Sequence, residues 1–82
     1  MADEPYSEVV RNIISELLGI PASEIQNSTD LFELGFDSIR AMEMVFRIRE
    51  ELGVEMSAED LYTSPCVNGL TEVIRVKKTS IN

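Results

Sequence analysis

The sequence predicts an all-α fold, a small four-helix bundle with three longer helices and one short helix. Apolar residues recur with the 3.6-residue period of a helix in three segments, and turn-forming residues separate these segments. No pair of strand-like segments joined by hairpin turn chemistry is present. A chain of 82 residues is expected to form a single domain, with its core at about residues 5–78.

The first helix is expected to begin near Pro5, because the missing N–H of proline would have no partner in a first turn anyway. Gly19 is expected to end it. Its core stripe has i, i+3, i+4 spacing and consists of Val10, Ile13, Ile14, Leu17 and Leu18. Residues 20–37 are predicted to form a long structureless loop, whose length suggests function. Four apolar side chains are expected to pin this loop to the core: Ile25, Leu31, Phe32 and Leu34.

The second helix is predicted from about Ser38 to Leu52, with Gly53 as its stop. Its core stripe is expected to be Ala41, Met44, Val45, Ile48 and Leu52. A second apolar stripe, rotated away from the first, consists of Ile39, Met42 and Phe46. Either both stripes are buried because the helix is central, or the second stripe is an exposed recognition patch. The patch would be rimmed by Arg40, Glu43 and Arg47, which otherwise form an ordinary solvated face with one i,i+3 and one i,i+4 ion pair.

The remaining helices are a short third one and a longer fourth one. Ser57 and Asp60 have the spacing of a capping arrangement at the start of the third helix. Ser64 and Pro65 predict the start of the fourth helix, with serine as its cap and proline in its first turn. Its apolar face is expected to be Val67, Leu70 and Ile74, with Val73 and Cys66 beside them. The last residues, Thr79 to Asn82, are expected to fray.

The charge and composition exclude several classes of function. Seven basic and fifteen acidic residues give a net charge of −8, which disfavours nucleic acids and anionic membrane surfaces and favours basic patches on proteins. The sequence has no histidine, so the Ser-His and Cys-His pairs of nucleophilic enzymes are absent. We therefore expect no catalytic residue in this chain. We also expect the chain to be a monomer. Its only cysteine, and the lack of a signal peptide or membrane-spanning stretch, indicate a cytoplasmic location.

A metal site is not expected. Asp30, Glu33 and Asp37 are acidic neighbours, but their spacing is not that of a calcium-binding loop, and we interpret them as a solvated acidic segment. Ser38 is better placed to take part in chemistry, as a residue that another enzyme modifies. A phosphodiester on its oxygen would meet the N–H groups and the positive pole of the helix. The alternative is that Ser38 is only a helix cap, because serine and aspartate are both favoured there.

The segment Leu34-Gly35-Phe36-Asp37-Ser38-Ile39 resembles the attachment motif of acyl and peptidyl carrier proteins. The family pattern is Leu-Gly-x-Asp-Ser-Leu, and Ile39 stands where leucine is usual. The similarity includes the lead-in Asp30–Leu34 and, with the first helix, nearly the whole chain. It implies a four-helix bundle in which Ser38 receives 4'-phosphopantetheine from coenzyme A, with Asp37 flanking the site. The terminal thiol of this arm would hold acyl or aminoacyl groups as thioesters.

The resemblance also implies partners: a phosphopantetheinyl transferase, and enzymes that load and condense the acyl or aminoacyl groups. The second helix contains Arg40, Arg47 and Arg49, whereas that of fatty-acid carrier proteins is usually strongly acidic. This difference favours polyketide or nonribosomal peptide biosynthesis, and the Gly-Phe-Asp-Ser form leans slightly towards polyketide. Two alternatives stay open. One is a fatty-acid-type acyl carrier protein, and the other is a non-carrier helical module that binds proteins through Ile39, Met42 and Phe46.

Overall fold

The computed structural model describes residues 6–79, which form helices and no strand. The helices are α1 (Tyr6–Leu18), α2 (Ser38–Leu52), α3 (Ala58–Thr63) and α4 (Val67–Thr79). The predicted all-α bundle of three longer helices and one short helix is confirmed. None of the helices in this described part has the length and apolar character needed to cross a bilayer. The expected start of α1 at Pro5 lies outside the described residues. Of the segment expected to fray, Thr79 to Asn82, the structure describes only Thr79, which is the last residue of α4.

The core lies where α1 packs against α4 and α2. In each of these helices the predicted stripe faces inward, and its central residues are almost completely buried, as Ile13, Ile48 and Ile74 show. The outer members of the stripes, such as Leu17 and Leu52, are only partly buried against the core. Burial of each large apolar side chain contributes about 1.5–3 kcal/mol, so the three stripes are a large part of the fold's stabilisation.

Several predicted helix ends are confirmed. Gly19 follows α1 and Gly53 follows α2, each with a left-handed backbone. At the start of α3, the Ser57 hydroxyl accepts from the Asp60 amide while the Asp60 carboxylate accepts from the Ser57 amide. This reciprocal capping box satisfies two N–H groups that would otherwise lack partners at a helix end.

The connection between α1 and α2 is not a structureless loop, and the prediction for residues 20–37 was wrong in this respect. It contains two short 3₁₀ helices, Ala22–Glu24 and Leu31–Leu34. The predicted anchors Ile25 and Leu31 are buried, whereas Phe32 and Leu34 are half-buried. Hydrogen bonds between residues three apart, such as Glu33 N–H to the Asp30 carbonyl at 3.0 Å, give the connection its regular turns.

The predicted start of α4 at Ser64-Pro65 was also wrong. Ser64 ends α3, with its N–H donating to the Asp60 carbonyl at 3.0 Å, and α4 begins at Val67. The half-buried Cys66 lies at the helix start, where its carbonyl accepts from the Leu70 amide at 2.9 Å and its sulfur accepts from the Gly69 amide at 3.3 Å. The Pro65 carbonyl accepts from the Leu31 amide at 2.8 Å, so a long-range contact fixes this turn outside the helix.

Candidate functional site

Ser38 is the exposed first residue of α2, and the residue before it caps the helix. The Asp37 carboxylate accepts a hydrogen bond from the Arg40 amide at 2.8 Å, and its carbonyl accepts from the Ala41 amide at 2.8 Å. The interpretation of Ser38 as a helix cap is therefore wrong, because Asp37 occupies that position. The Ser38 hydroxyl takes part in none of the hydrogen bonds found among residues 6–79, which leaves its oxygen available.

A buried aromatic side chain anchors the turn before Ser38 to the core. Phe36 is only 5% exposed, and its amide donates to the Leu31 carbonyl at 3.1 Å. The chain reverses at Gly35, whose φ of 109° is one that other residues rarely adopt. The preceding 3₁₀ helix is capped by Asp30, whose carboxylate accepts from the Phe32 amide at 2.9 Å. The chain thus packs Phe36 inward and leaves Ser38 outward two positions later.

The start of α2 fits a phosphate ester on Ser38. Asp37 satisfies the amides of Arg40 and Ala41, whereas those of Ser38 and Ile39 have no partner within the helix, as expected for its first turn. Together with the positive pole of the helix dipole, these amides favour a negatively charged group. The residues present therefore suit a covalently attached phosphodiester.

The second stripe of α2 is exposed. Ile39, Met42 and Phe46 are 61%, 68% and 58% exposed, which excludes the alternative that both stripes are buried. Met42 and Phe46 also line a shallow surface groove together with the half-buried Leu17 of α1. An apolar surface of contiguous side chains therefore extends along α2 from the residue next to Ser38.

Charged side chains lie beside this apolar stripe, in pairs that differ in part from those expected. Arg40 pairs with Glu43 at 3.4 Å, which is the predicted i,i+3 pair. Arg47 does not form the expected i,i+4 pair with Glu43, because it contacts Glu51 and Glu16, each at 2.7 Å. The hydrogen bonds to Glu51 and then Glu16 raise the pKa of the Arg47 guanidinium. The link to Glu16 also ties α2 to α1.

The acidic residues near Ser38 serve as caps or lie in solvent. Asp30 and Asp37 each accept a backbone N–H, and Glu33 is exposed. Among residues 6–79 no group of three acidic, cysteine or histidine side chains is arranged to hold a metal ion. One feature was missed by the sequence analysis, a cluster of the rings of Phe32, Phe36 and Tyr62 beside the turn. Its only sequence signal was the pair of phenylalanines on either side of Gly35.

Comparison with known sequences gives matches that span most of the chain. The family model described as phosphopantetheine attachment site matches residues 8–74, which include Ser38. A dimodular nonribosomal peptide synthase of Bacillus subtilis is 38% identical over 68 residues, which are 83% of this chain and 3% of that protein. Polyketide synthase 2 of Metarhizium acridum is 36% identical over 63 residues, which are 77% of this chain and 3% of the synthase. The chain thus spans only a small part of the length of these relatives.

Solved structures share the fold. A free-standing peptidyl carrier protein from a secondary metabolic pathway of Acinetobacter baumannii has a TM-score of 0.84 at 19% identity, covering 89% of this chain and 91% of that one. A nonribosomal PCP domain has a TM-score of 0.74 at 27% identity, with coverage of 89% and 91%. These findings confirm the resemblance to carrier proteins. The chain belongs to the phosphopantetheine attachment site family, whose members bind 4'-phosphopantetheine covalently on a serine.

Proposed function

We propose that Ser38 is the attachment point of 4'-phosphopantetheine and that the domain is a carrier in polyketide or nonribosomal peptide biosynthesis. The observation that supports this most strongly is the exposed hydroxyl of Ser38 at the first position of α2, directly after the cap Asp37. When bound, the arm supplies a terminal thiol that holds acyl or aminoacyl groups as thioesters. The domain itself contributes no catalytic residue.

Asp37 has two roles in this proposal. Its carboxylate caps α2 through the Arg40 amide, which fixes the helix start and hence the direction of the Ser38 side chain. Because it is exposed, the same carboxylate also places a negative charge next to the acceptor oxygen. A transferase with a basic surface would be attracted to this position.

The exposed stripe of α2 is the proposed docking surface for partner enzymes. Ile39, Met42 and Phe46 supply apolar contact area, and methionine adapts its shape to different partners. Arg40, Glu43 and Arg47 rim this area. The partners are a phosphopantetheinyl transferase and the loading and condensing enzymes. A small surface of this kind suits transient docking, because a tethered substrate has a high effective concentration and needs no tight complex.

The pathway and setting are part of the same proposal. Relatives include both a nonribosomal peptide synthase and a polyketide synthase, and α2 carries arginines as well as glutamates. A monomer in the cytoplasm that binds neither nucleic acid nor membrane is supported by the net charge of −8 and by a single, half-buried cysteine.

The direct test is the intact mass of the protein after incubation with coenzyme A and a phosphopantetheinyl transferase of broad specificity. Wild type is expected to gain the mass of one arm, and Ser38→Ala none. Ser28→Ala removes an exposed serine of the connection that precedes α2 and is the matched control, expected to be modified like wild type. Modification of Ser38→Ala would show that the attachment point lies elsewhere.

A second function is favoured by one observation, the exposed apolar stripe. A helical interaction module without an arm would use Ile39, Met42 and Phe46 in the same way. The two functions differ in the mass experiment, since an interaction module gains no arm. Membership of the family favours the carrier.

A further inference from the structure

Three aromatic rings connect the exposed side of α3 to the turn before Ser38. The rings of Tyr62 and Phe32 are stacked, with centroids 5.6 Å apart and planes inclined by 16°. Phe32 meets the ring of Phe36 edge-on, at 6.0 Å and 78°. Phe36 is buried and precedes Ser38 by two positions, whereas Tyr62 is 49% exposed. Tyr62 of α3 therefore contacts Phe32, which in turn contacts Phe36, the buried residue of the turn before Ser38.

The segment that contains Phe32 and Phe36 has little regular structure to hold it. Its 3₁₀ helix has four residues, and short 3₁₀ helices have poor hydrogen-bond geometry. Beyond its local turn and cap bonds, the segment is tied by the Leu31 amide, which donates to the Pro65 carbonyl at 2.8 Å. That bond and the aromatic stack join it to the same part of the chain, α3 and the turn that follows. The segment is also held by the burial of Leu31 and Phe36. Packing of Phe32 against Tyr62 is a further restraint on it, supplied by α3.

We infer that Tyr62 is a positioning residue for the modification of Ser38. Its ring holds Phe32, and through it Phe36, so that the turn presents the Ser38 hydroxyl outward. This inference rests on the proposed attachment at Ser38. Without the ring, the turn samples other conformations, and the fraction of molecules that present Ser38 falls. A stacked aromatic pair corresponds to a factor of roughly two to ten in such an equilibrium.

Because Tyr62 is exposed, it could instead contact a partner enzyme directly. The KM and kcat of the transferase distinguish this role from positioning of the turn. The proposed docking stripe on α2 does not include Tyr62. If Tyr62 only positions the turn, its loss therefore leaves the KM for the carrier unchanged and lowers kcat. Loss of a direct contact raises KM. Because stacking uses the ring alone, phenylalanine replaces tyrosine without loss in the positioning role.

The experiment measures arm transfer from coenzyme A by a phosphopantetheinyl transferase at varied carrier concentration, together with amide hydrogen exchange of Phe36. Tyr62→Leu keeps an apolar side chain but removes the ring. It is expected to accelerate exchange of the Phe36 amide roughly two- to tenfold, because exchange follows the equilibrium constant of opening. It is also expected to lower kcat at unchanged KM by at most that factor, because kcat follows the fraction of molecules that present Ser38. Tyr62→Phe is expected to behave like wild type. Glu59→Gln, an exposed change on the same helix, is the matched control.

Phe32→Leu removes the middle ring and is expected to reproduce the defect of Tyr62→Leu, while slow exchange of the Ile74 amide reports that the core stays folded. A raised KM at unchanged kcat, an equal defect in Tyr62→Phe, or unaltered exchange at Phe36 would each overturn the inference. An unmodified wild-type protein would instead refute the proposed attachment. In that case, exchange at Phe36 still tests whether the Tyr62 ring holds the turn.

Discussion

At the scale of single residues, the adjacent Asp37 and Ser38 have different roles: Asp37 caps α2, and Ser38 has a hydroxyl that the cap does not use. The Asp37 side chain and carbonyl satisfy the amides of Arg40 and Ala41, each at 2.8 Å. A serine in the cap position would direct its oxygen back to these amides, and the oxygen would then be shielded from a partner enzyme. With Asp37 as the cap, the Ser38 hydroxyl faces no such competition. The order Asp-Ser therefore stabilises the helix and keeps the Ser38 oxygen, the proposed acceptor, accessible.

This division predicts different stabilities for two alanine variants. Asp37→Ala removes the cap and should lower the free energy of unfolding by about 0.5–2 kcal/mol. Ser38→Ala changes an exposed first-turn residue, so its effect should stay within about 0.5 kcal/mol. Urea unfolding of both variants and wild type gives the comparison, provided that the slopes agree. A loss for Ser38→Ala as large as that for Asp37→Ala would contradict the assignment of the cap.

The sequence alone placed Ser38 at the start of α2 but left open which of the two residues is the cap. Serine and aspartate have nearly equal preferences for that position, and a shift of the helix start by one residue leaves both apolar stripes unchanged. The cap is decided by the backbone of the preceding turn, where Asp37 is extended at φ −138° and ψ −174°. That conformation depends on the burial of Phe36 and the reversal at Gly35, which local propensities do not specify.

A second prediction concerns the charge of Asp37. Asp37→Asn keeps a side-chain oxygen that accepts the Arg40 amide, since asparagine caps helices as well as aspartate. Stability should therefore remain close to wild type, whereas the rate of arm attachment should fall because a negative charge next to the acceptor is lost. The kcat/KM of the transferase for the two proteins is the measurement. An equal rate would mean that Asp37 acts only as a cap.

At the scale of helices, α2 has two apolar stripes, one buried and one exposed. Ala41, Met44 and Ile48 are fully buried, whereas Ile39, Met42 and Phe46 are more than half exposed. The 3.6-residue period predicted both stripes, but periodicity does not say how many faces of a helix are covered. That depends on the placement of the other helices, and α2 is packed by α1 and α3 on its inner side only. The exposure of this stripe supports the proposed docking surface.

Features governed by long-range contacts escaped the sequence analysis in the same way. The second 3₁₀ helix and the turn before α4 are joined by the bond from the Leu31 amide to the Pro65 carbonyl, which links segments far apart in the chain. The Ser64-Pro65 pattern favours a helix start locally, but the Pro65 carbonyl is engaged with Leu31 outside the helix. Helix stripes are predictable because they are local patterns, and these turns are not, because their partners are distant.

The two stripes predict two kinds of mutational effect. Ile48→Ala leaves a cavity in the core and should cost roughly 2–5 kcal/mol of the free energy of unfolding. Met42→Ala, at a position 68% exposed, should cost far less yet raise the carrier's KM for a partner enzyme. Glu50→Gln, also exposed on α2, serves as the control for both measurements. Equal, large losses of stability for Ile48→Ala and Met42→Ala would mean that both stripes belong to the core.

At the scale of the whole molecule, charge is expected to govern how the proposed partners approach. The net charge is −8, yet the arginines of the docking surface are compensated locally. Arg40 pairs with Glu43, and Arg47 pairs with Glu51 and Glu16. A basic partner therefore meets an attractive long-range field and little local repulsion. Since fields of this kind act mainly on encounter, the association rate should respond to salt more than the lifetime of the complex does.

The last prediction follows from this field. Added salt should slow arm attachment, because the screening length falls from about 10 Å at 0.1 M to about 3 Å at 1 M. Arg40→Glu makes the surface beside Ser38 more acidic, and it should speed attachment by a basic transferase at low salt and steepen the salt dependence. Its like-charge contact with Glu43 costs only about 0.2–0.5 kcal/mol, so the fold should persist. The rates of wild type and Arg40→Glu as a function of ionic strength test this account. If both rates were independent of salt, the electrostatic account would be wrong, because attraction between exposed charges weakens as salt screens it. Apolar contact through Ile39, Met42 and Phe46 would then have to explain docking.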